Sequence, residues 1–149
     1  MRYKEVEAAL AEVMHIGPKR MGAFRGRLRH LRNIGLPRLP KSGSGRAIDY
    51  SSRQALEMLL ALELENAGQT ASKAALVAES LVRQSPSGPH HGEDCYACVV
   101  KEQPGYTMMY GKKAFLEFLR KAPDTFLIIN ISSCERKLNT ALSRAVLLG

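Results

Sequence analysis

Residues 17–36 read GPKRMGAFRGRLRHLRNIGL. Met21, Phe24, Leu28 and Leu31 recur at helical intervals, and at about 100° per residue they share one narrow stripe, which predicts a helix with that face buried. The far side carries Lys19, Gly22, Ala23, Gly26, Arg29 and His30, with Arg25 and Arg27 on the shoulders. Glycine in a helix interior costs about 1 kcal/mol relative to alanine, so Gly22 and Gly26 call for a reason. A helix with almost no side chain on its centre line can lie deep in a major groove while flanking arginines reach phosphates and guanine edges. A solvated basic face, or a small-residue contact between packed helices, is the competing account.

The residues before this stretch favour the groove. Val6, Ala9, Leu10 and Val13 fall on one face of a helix over residues 3–14, with Glu5, Glu7 and Glu12 off it. His15-Ile16-Gly17 breaks it, and Pro18 suits the first position of the next helix. Two short helices joined by a glycine-containing turn, the second of them basic, form a helix-turn-helix pattern. In that motif the second helix reads the groove.

Charge is distributed to match. Of the net charge of +8, residues 1–46 hold all the excess, with eleven Lys and Arg against three Glu, while residues 47–149 hold eleven of each sign. Clustered cations of this kind suit a polyanion, because they neutralise phosphates and release counterions. An anionic membrane surface would demand bulky apolar residues exposed beside the cations, and the basic helix commits its four to its own fold.

Gly35 is placed to close the basic helix as a left-handed cap. Leu36-Pro37-Arg38-Leu39-Pro40 is too proline-rich for a helix, and Lys41-Ser-Gly-Ser-Gly45 is a flexible tip. Residues 39–50 are therefore expected to form a small hairpin, a wing, bearing Arg38, Lys41 and Arg46. Ser51 and Gln54 form a capping box. The helix they start is apolar on several faces (Ala55, Leu56, Met58, Leu59, Leu60, Leu62, Leu64), as a central core helix is. Its Glu57, Glu63 and Glu65 read as a solvated edge. Gly68 ends it, and Thr70 starts another carrying Ala74, Val77, Ala78, Leu81 and Val82.

A helix-turn-helix ending in Gly35-Leu36, a basic loop, Gly45-Arg46 with Tyr50-Ser51 behind it, a helix, and the segment AGQTASKAALVAESL together resemble the winged-helix DNA-binding domain of the MerR family. The resemblance covers about residues 3–84. It implies a DNA-binding domain, and with it Lys19, Arg20, Gly22, Arg25, Gly26, Arg27 and Arg29 at the groove and Arg38, Lys41 and Arg46 on the adjacent backbone.

Residues 85–94 form a linker by composition (SPSGPHHGED), and the periodicity changes beyond it. Residues 96–101 and 106–110 read as strands joined by a turn at Gln103-Pro104-Gly105, and residues 111–122 as a helix carrying Ala114, Phe115, Phe118 and Leu119. Residues 125–131 (TFLIINI) read as the strongest strand. Ser132 and Glu135 suggest a capping box for a last helix with Leu138, Ala141, Leu142, Ala145 and Val146. The expected fold is thus a mainly α winged helix-turn-helix domain over residues 1–84, then a small β-β-α-β-α domain of α+β class over residues 95–149. A unit of that size is expected to complete its core against a second copy.

His90, His91, Cys95 and Cys98 make the one metal-like cluster, with Cys134 as a distant fifth. The second pair of a structural zinc site is missing, and a cysteine inside an apolar strand is commonly a small buried hydrophobe, so no metal or other cofactor is expected. Three cysteines without a secretion signal point to a reducing, cytoplasmic setting. No apolar run approaches the ~18 residues of a membrane span. No phosphate-binding glycine loop, nucleophile elbow or paired carboxylates indicate an enzyme. The expected function is sequence-specific binding of double-stranded DNA by a homodimeric transcription regulator, with RNA polymerase or another protein as a further partner of the C-terminal domain. Open beside it stand a non-catalytic adaptor whose basic module meets RNA or an acidic protein, and an excisionase-like architectural factor.

Overall fold

The computed structural model describes residues 1–38, 48–85, 94–100, 106–122 and 126–148. It is mostly helical, with a small antiparallel sheet in the C-terminal part. Helix α1 (Tyr3–Val13) leads through a 3-10 turn (Pro18–Arg20) into α2 (Met21–Asn33), followed by α3 (Ser52–Asn66) and α4 (Ala71–Gln84). Strands β1 (Cys95–Val100) and β2 (Tyr106–Tyr110), helix α5 (Gly111–Leu119), strand β3 (Phe126–Asn130) and helix α6 (Ile131–Leu148) complete the chain. The β-β-α-β-α order is the one expected. Lys41 and Arg46 fall outside the described residues with most of the hairpin expected over residues 39–50, of which residues 48–50 are described and form no strand; His90 and His91 also fall outside.

Three of the helices end in the same way. After α2 the Gly35 N–H donates to the Arg32 carbonyl and the Leu36 N–H to that of Leu31; after α3, Gly68 and Gln69 do the same to Glu65 and Leu64. Both glycines have φ near +90°, the left-handed position that closes a Schellman motif. Helix α1 closes identically, His15 donating to Glu12 and Ile16 to Ala11. Here the left-handed residue is His15, with φ 52°. At the other ends, the Ser51–Gln54 capping box forms reciprocally, and the Thr70 hydroxyl accepts from the Lys73 N–H.

Helix α3 is the hub. Its Ala55, Leu56, Met58, Leu59, Leu60, Ala61, Leu62 and Leu64 are all buried, because neighbours cover it on several sides: α4 above all, with α1 and α6. The acidic edge expected on it is not solvated as a whole. Glu65 is engaged by Arg27, and Glu57 is half-buried, with one carboxylate oxygen enclosed and unpartnered.

The sheet runs β2-β1-β3, antiparallel throughout. Alternation along β1 sends Cys95, Ala97 and Val99 into the common core, while Tyr96 and Cys98 point to the opposite face. On that face α5 is laid down by its aromatics, Phe115 stacking on Tyr96 at 4.5 Å and Phe118 meeting Phe126 edge-on at 5.7 Å. Helix α5 stops at Leu119, short of Ala122, and Leu119 is exposed rather than packed.

β3 passes into α6 without a loop, which corrects the capping expected there. The Asn130 side chain, not Ser132, takes the N-cap role, accepting from the Ser133 N–H at 2.8 Å. Ser132 lies inside the first turn, and its hydroxyl accepts from the Cys95 N–H at 2.8 Å, fastening the helix start to β1. Along α6, Leu138, Ala141 and Leu142 are buried, whereas Val146 has left the stripe and is exposed. These buried residues do not wait for a second copy. Helix α6 runs along α1 and touches α3 and β1, and one hydrophobic cluster joins Val6, Leu10 and Leu28 to Cys95, Ala97 and Leu142.

Candidate nucleic-acid interface

Phe24, Leu28 and Leu31 of α2 are buried and Met21 is half-buried, so the stripe seats the helix as its spacing requires. The opposite face is open. A Cβ built on Gly22 or Gly26 meets no atom within 4 Å, so neither glycine serves a contact between helices of this chain. Ala23, Arg29, His30 and Asn33 share this exposed face.

The cations around the glycine floor differ in how far they are committed. Lys19 and Arg29 are exposed and make no ion pair among the described residues. Arg20 is exposed and donates to the His15 carbonyl at 3.1 Å. Arg25 pairs with Glu7 of α1 at 2.7 Å, yet more than half of its side chain is solvent-accessible. Arg27 belongs to the interior seam: it donates to the Leu62 carbonyl and, through two nitrogens, to Glu65 of α3. It ties α2 to the end of α3, at the last carbonyls of a helix, where a cation is favoured. Its shoulder position on the helical wheel is real, but that shoulder faces α3.

Arg32, which periodicity had not singled out, joins Arg25 and Arg29 on one side of the floor, at spacings of four and three. Its guanidinium sits 4.8 Å from the centre of the Tyr3 ring, a cation–π contact. Tyr3 in turn packs against Tyr50. Tyr50 and Met1 exchange backbone hydrogen bonds in both directions. The chain leaving the basic loop is thus anchored beside the end of α2.

Arg38 lies elsewhere. It pairs with Glu79 of α4 at 3.0 Å, and its carbonyl accepts from Gln54 at 3.0 Å. Behind this pair stands Glu57, whose carboxyl is pushed up to about 7, first by burial and then by the Glu79 charge, with Arg53 and Arg38 opposing. Arg53 itself holds the Val82 and Ser85 carbonyls at the end of α4. Arg38 therefore enters the basic loop from an acidic anchor, apart from the α2 face.

The cysteines do not converge. Cys95 and Cys98 are buried on opposite faces of β1, so they cannot share an ion, and burial pushes the Cys95 and Cys134 thiols up to about 11. Among the described residues no group of three or more His, Cys, Asp or Glu is placed to hold a metal, and no helix is long and apolar enough to cross a membrane. No family model matches the chain, and no curated protein matches it significantly.

Proposed function

We propose that this chain is a sequence-specific, double-stranded-DNA-binding transcription regulator of the MerR-like winged-helix kind, acting as a homodimer. The observation that carries the reading is the outer face of α2, where Gly22, Ala23 and Gly26 lie exposed with nothing packed on the two glycines. Basic surfaces alone are common; a basic helix stripped of side chains along its centre line is not, and close backbone approach is what that arrangement permits. Lys19 and Arg20 hold phosphates at the helix start, while Arg25, Arg29 and Arg32 reach phosphates or guanine edges from one side. Arg27 is removed from the contacting set and assigned to holding α2 on α3. The basic loop following Arg38 takes the adjacent backbone, and the cytoplasm is the setting in which such a protein meets its target.

A titration of the full chain against duplex DNA pools, hairpin RNA and heparin at two salt concentrations tests this. A regulator retains preference for particular duplexes as salt rises, since base contacts survive screening, whereas a plain polycation loses all three ligands together. Equal salt sensitivity for all three, with no duplex selected from a random pool, would overturn the reading.

A further inference from the structure

The fold brings a second group of cations to the helix-turn-helix from the far end of the sequence. Where α1 ends, it and the following turn face α6 across a crevice of about 440 Å³ lined by Glu12, Val13, His15, Arg136, Lys137, Thr140 and Arg144. Glu12, its one lining carboxylate among the described residues, pairs with Arg144 at 2.7 Å, and Asp94, outside the lining, pairs with Arg136 at 2.8 Å. Each bond uses one of the five N–H donors of a guanidinium whose side chain is more than three-fifths exposed, leaving donors free on both arginines. Lys137 is exposed and pairs with no carboxylate among the described residues. Three cations against two anions suit an oxyanion; the Thr140 hydroxyl, on the α6 side, donates to the Arg136 carbonyl at 3.0 Å, and His15 lines the α1 side.

A second observation points the same way. Each of the other two Schellman ends places glycine at the left-handed position, but α1 places His15 there, at φ 52°. A residue with a Cβ is strained by about 1 kcal/mol in that conformation. His15 lines the crevice, and its carbonyl receives Arg20 from the turn that starts α2. The crevice therefore adjoins the end of α2 that leads into the groove in the reading above.

We infer that the crevice between the α1–α2 turn and α6 binds a phosphate group, and that in the DNA complex this is a backbone phosphate flanking the groove. The DNA part rests on the proposed function; the phosphate part does not. Lys137, Arg136 and Arg144 donate to the phosphate oxygens, and α6 becomes part of the DNA-binding surface although residues 47–149 as a whole carry no excess charge.

Two arms test this with the full chain. In the first, inorganic phosphate is titrated while amide and His15 ring resonances are followed by NMR. Saturable shifts at His15, Lys137 and Thr140, weakened in Lys137→Gln, uphold the site; their absence in the wild type overturns it. In the second, duplex affinity is measured against salt for the wild type, Lys137→Gln and Arg144→Gln. Each variant is expected to weaken all duplexes alike, by about two- to fivefold at low salt, and to reduce the salt slope by about 1. Lys137 is exposed and pairs with no carboxylate among the described residues, so its loss leaves the fold intact, and circular dichroism checks this. Unchanged slopes in a protein that binds duplex DNA overturn the backbone assignment while leaving the proposed function standing. Failure of the wild type to bind any duplex refutes the proposed function, and the phosphate arm then decides the crevice alone.

Discussion

Gly26→Leu separates stability from function, because the open helix face and the proposed groove contact call for opposite signs. Gly26 sits in the interior of α2, directly opposite the buried stripe, and an added Cβ there meets only open space. Its φ is not in the left-handed region, so a side chain introduces no backbone strain. Replacing it should stabilise the helix by about 1 kcal/mol for alanine and slightly less for leucine. For a chain of this size that is a rise in Tm of about 2–4 °C. Binding should move the other way. A leucine on the centre line holds the helix axis away from the groove floor, so arginines at the rim lose their reach to base edges. Each good bidentate contact is worth about 1–3 kcal/mol, and two lost contacts mean at least about thirtyfold in Kd. Thermal melts and fluorescence anisotropy on a selected duplex, for glycine, alanine and leucine at position 26, measure both quantities. Stability should rise while affinity falls with side-chain size. A folded Gly26→Leu protein with wild-type affinity would refute the groove geometry, and a lowered Tm would refute the open helix face itself.

Glu57 makes stability depend on pH: its folded carboxyl is raised from 4.5 to about 7, so its contribution is complete below about pH 4.5 and lost as pH rises through 7. Solvent screening of the half-buried group limits the loss to about 1–2 kcal/mol, and Glu57→Gln should flatten the fall in Tm over that range; parallel pH profiles would exclude it as the cause. Leu28→Ala, at a fully buried position, should destabilise the fold by about 2–5 kcal/mol in chemical denaturation; a loss below that range would mean the stripe packs loosely. Arg27→Gln should lower stability by about 1–3 kcal/mol through its lost charge-assisted bonds while leaving the salt slope of DNA binding unchanged, and a slope reduced by about 1 would return Arg27 to the contacting set. A fragment of residues 1–85 should melt well below the full chain and bind a hydrophobic dye, since removing Leu138 and Leu142 forfeits roughly 2 kcal/mol per leucine; an unchanged Tm would show that α6 adds nothing to α1.

What the sequence disclosed was what local chemistry determines. The α2 stripe follows from spacing alone, Gly35 and Gly68 from the demand for a left-handed residue, and the Ser51–Gln54 box from two side chains three residues apart. The misplacements have physical causes too. Asn130 and Ser132 are both good N-caps, and the choice fell to Asn130 because the Ser132 hydroxyl is needed by the Cys95 N–H. Arg27 looked like its neighbours on the wheel because the wheel does not know where α3 ends. Cys95 and Cys98 are separated more simply than by a missing second pair, since both fall in β1 and a spacing of three along a strand sends two side chains to opposite faces. His15 gave no signal at all, because histidine at a helix end carries no left-handed signature comparable to glycine.

The charge map shows how far a linear reading departs from a folded one. Counted along the chain, the excess charge stops at residue 46, because the cations of α6 are balanced by acidic residues elsewhere in 47–149. In space, Glu12 and Asp94 each occupy part of one guanidinium on α6 and Lys137 pairs with no carboxylate among the described residues, so cations belonging to a balanced segment are delivered beside the turn that leads into α2. That delivery depends on apolar packing: α6 reaches the turn because Leu138, Ala141 and Leu142 are buried along a helix that runs beside α1. Position and charge are therefore coupled through one core. A substitution that shifts α6 along α1 should alter phosphate binding at the crevice without touching a cation, whereas an equal perturbation of α5, on the far side of the sheet, should not.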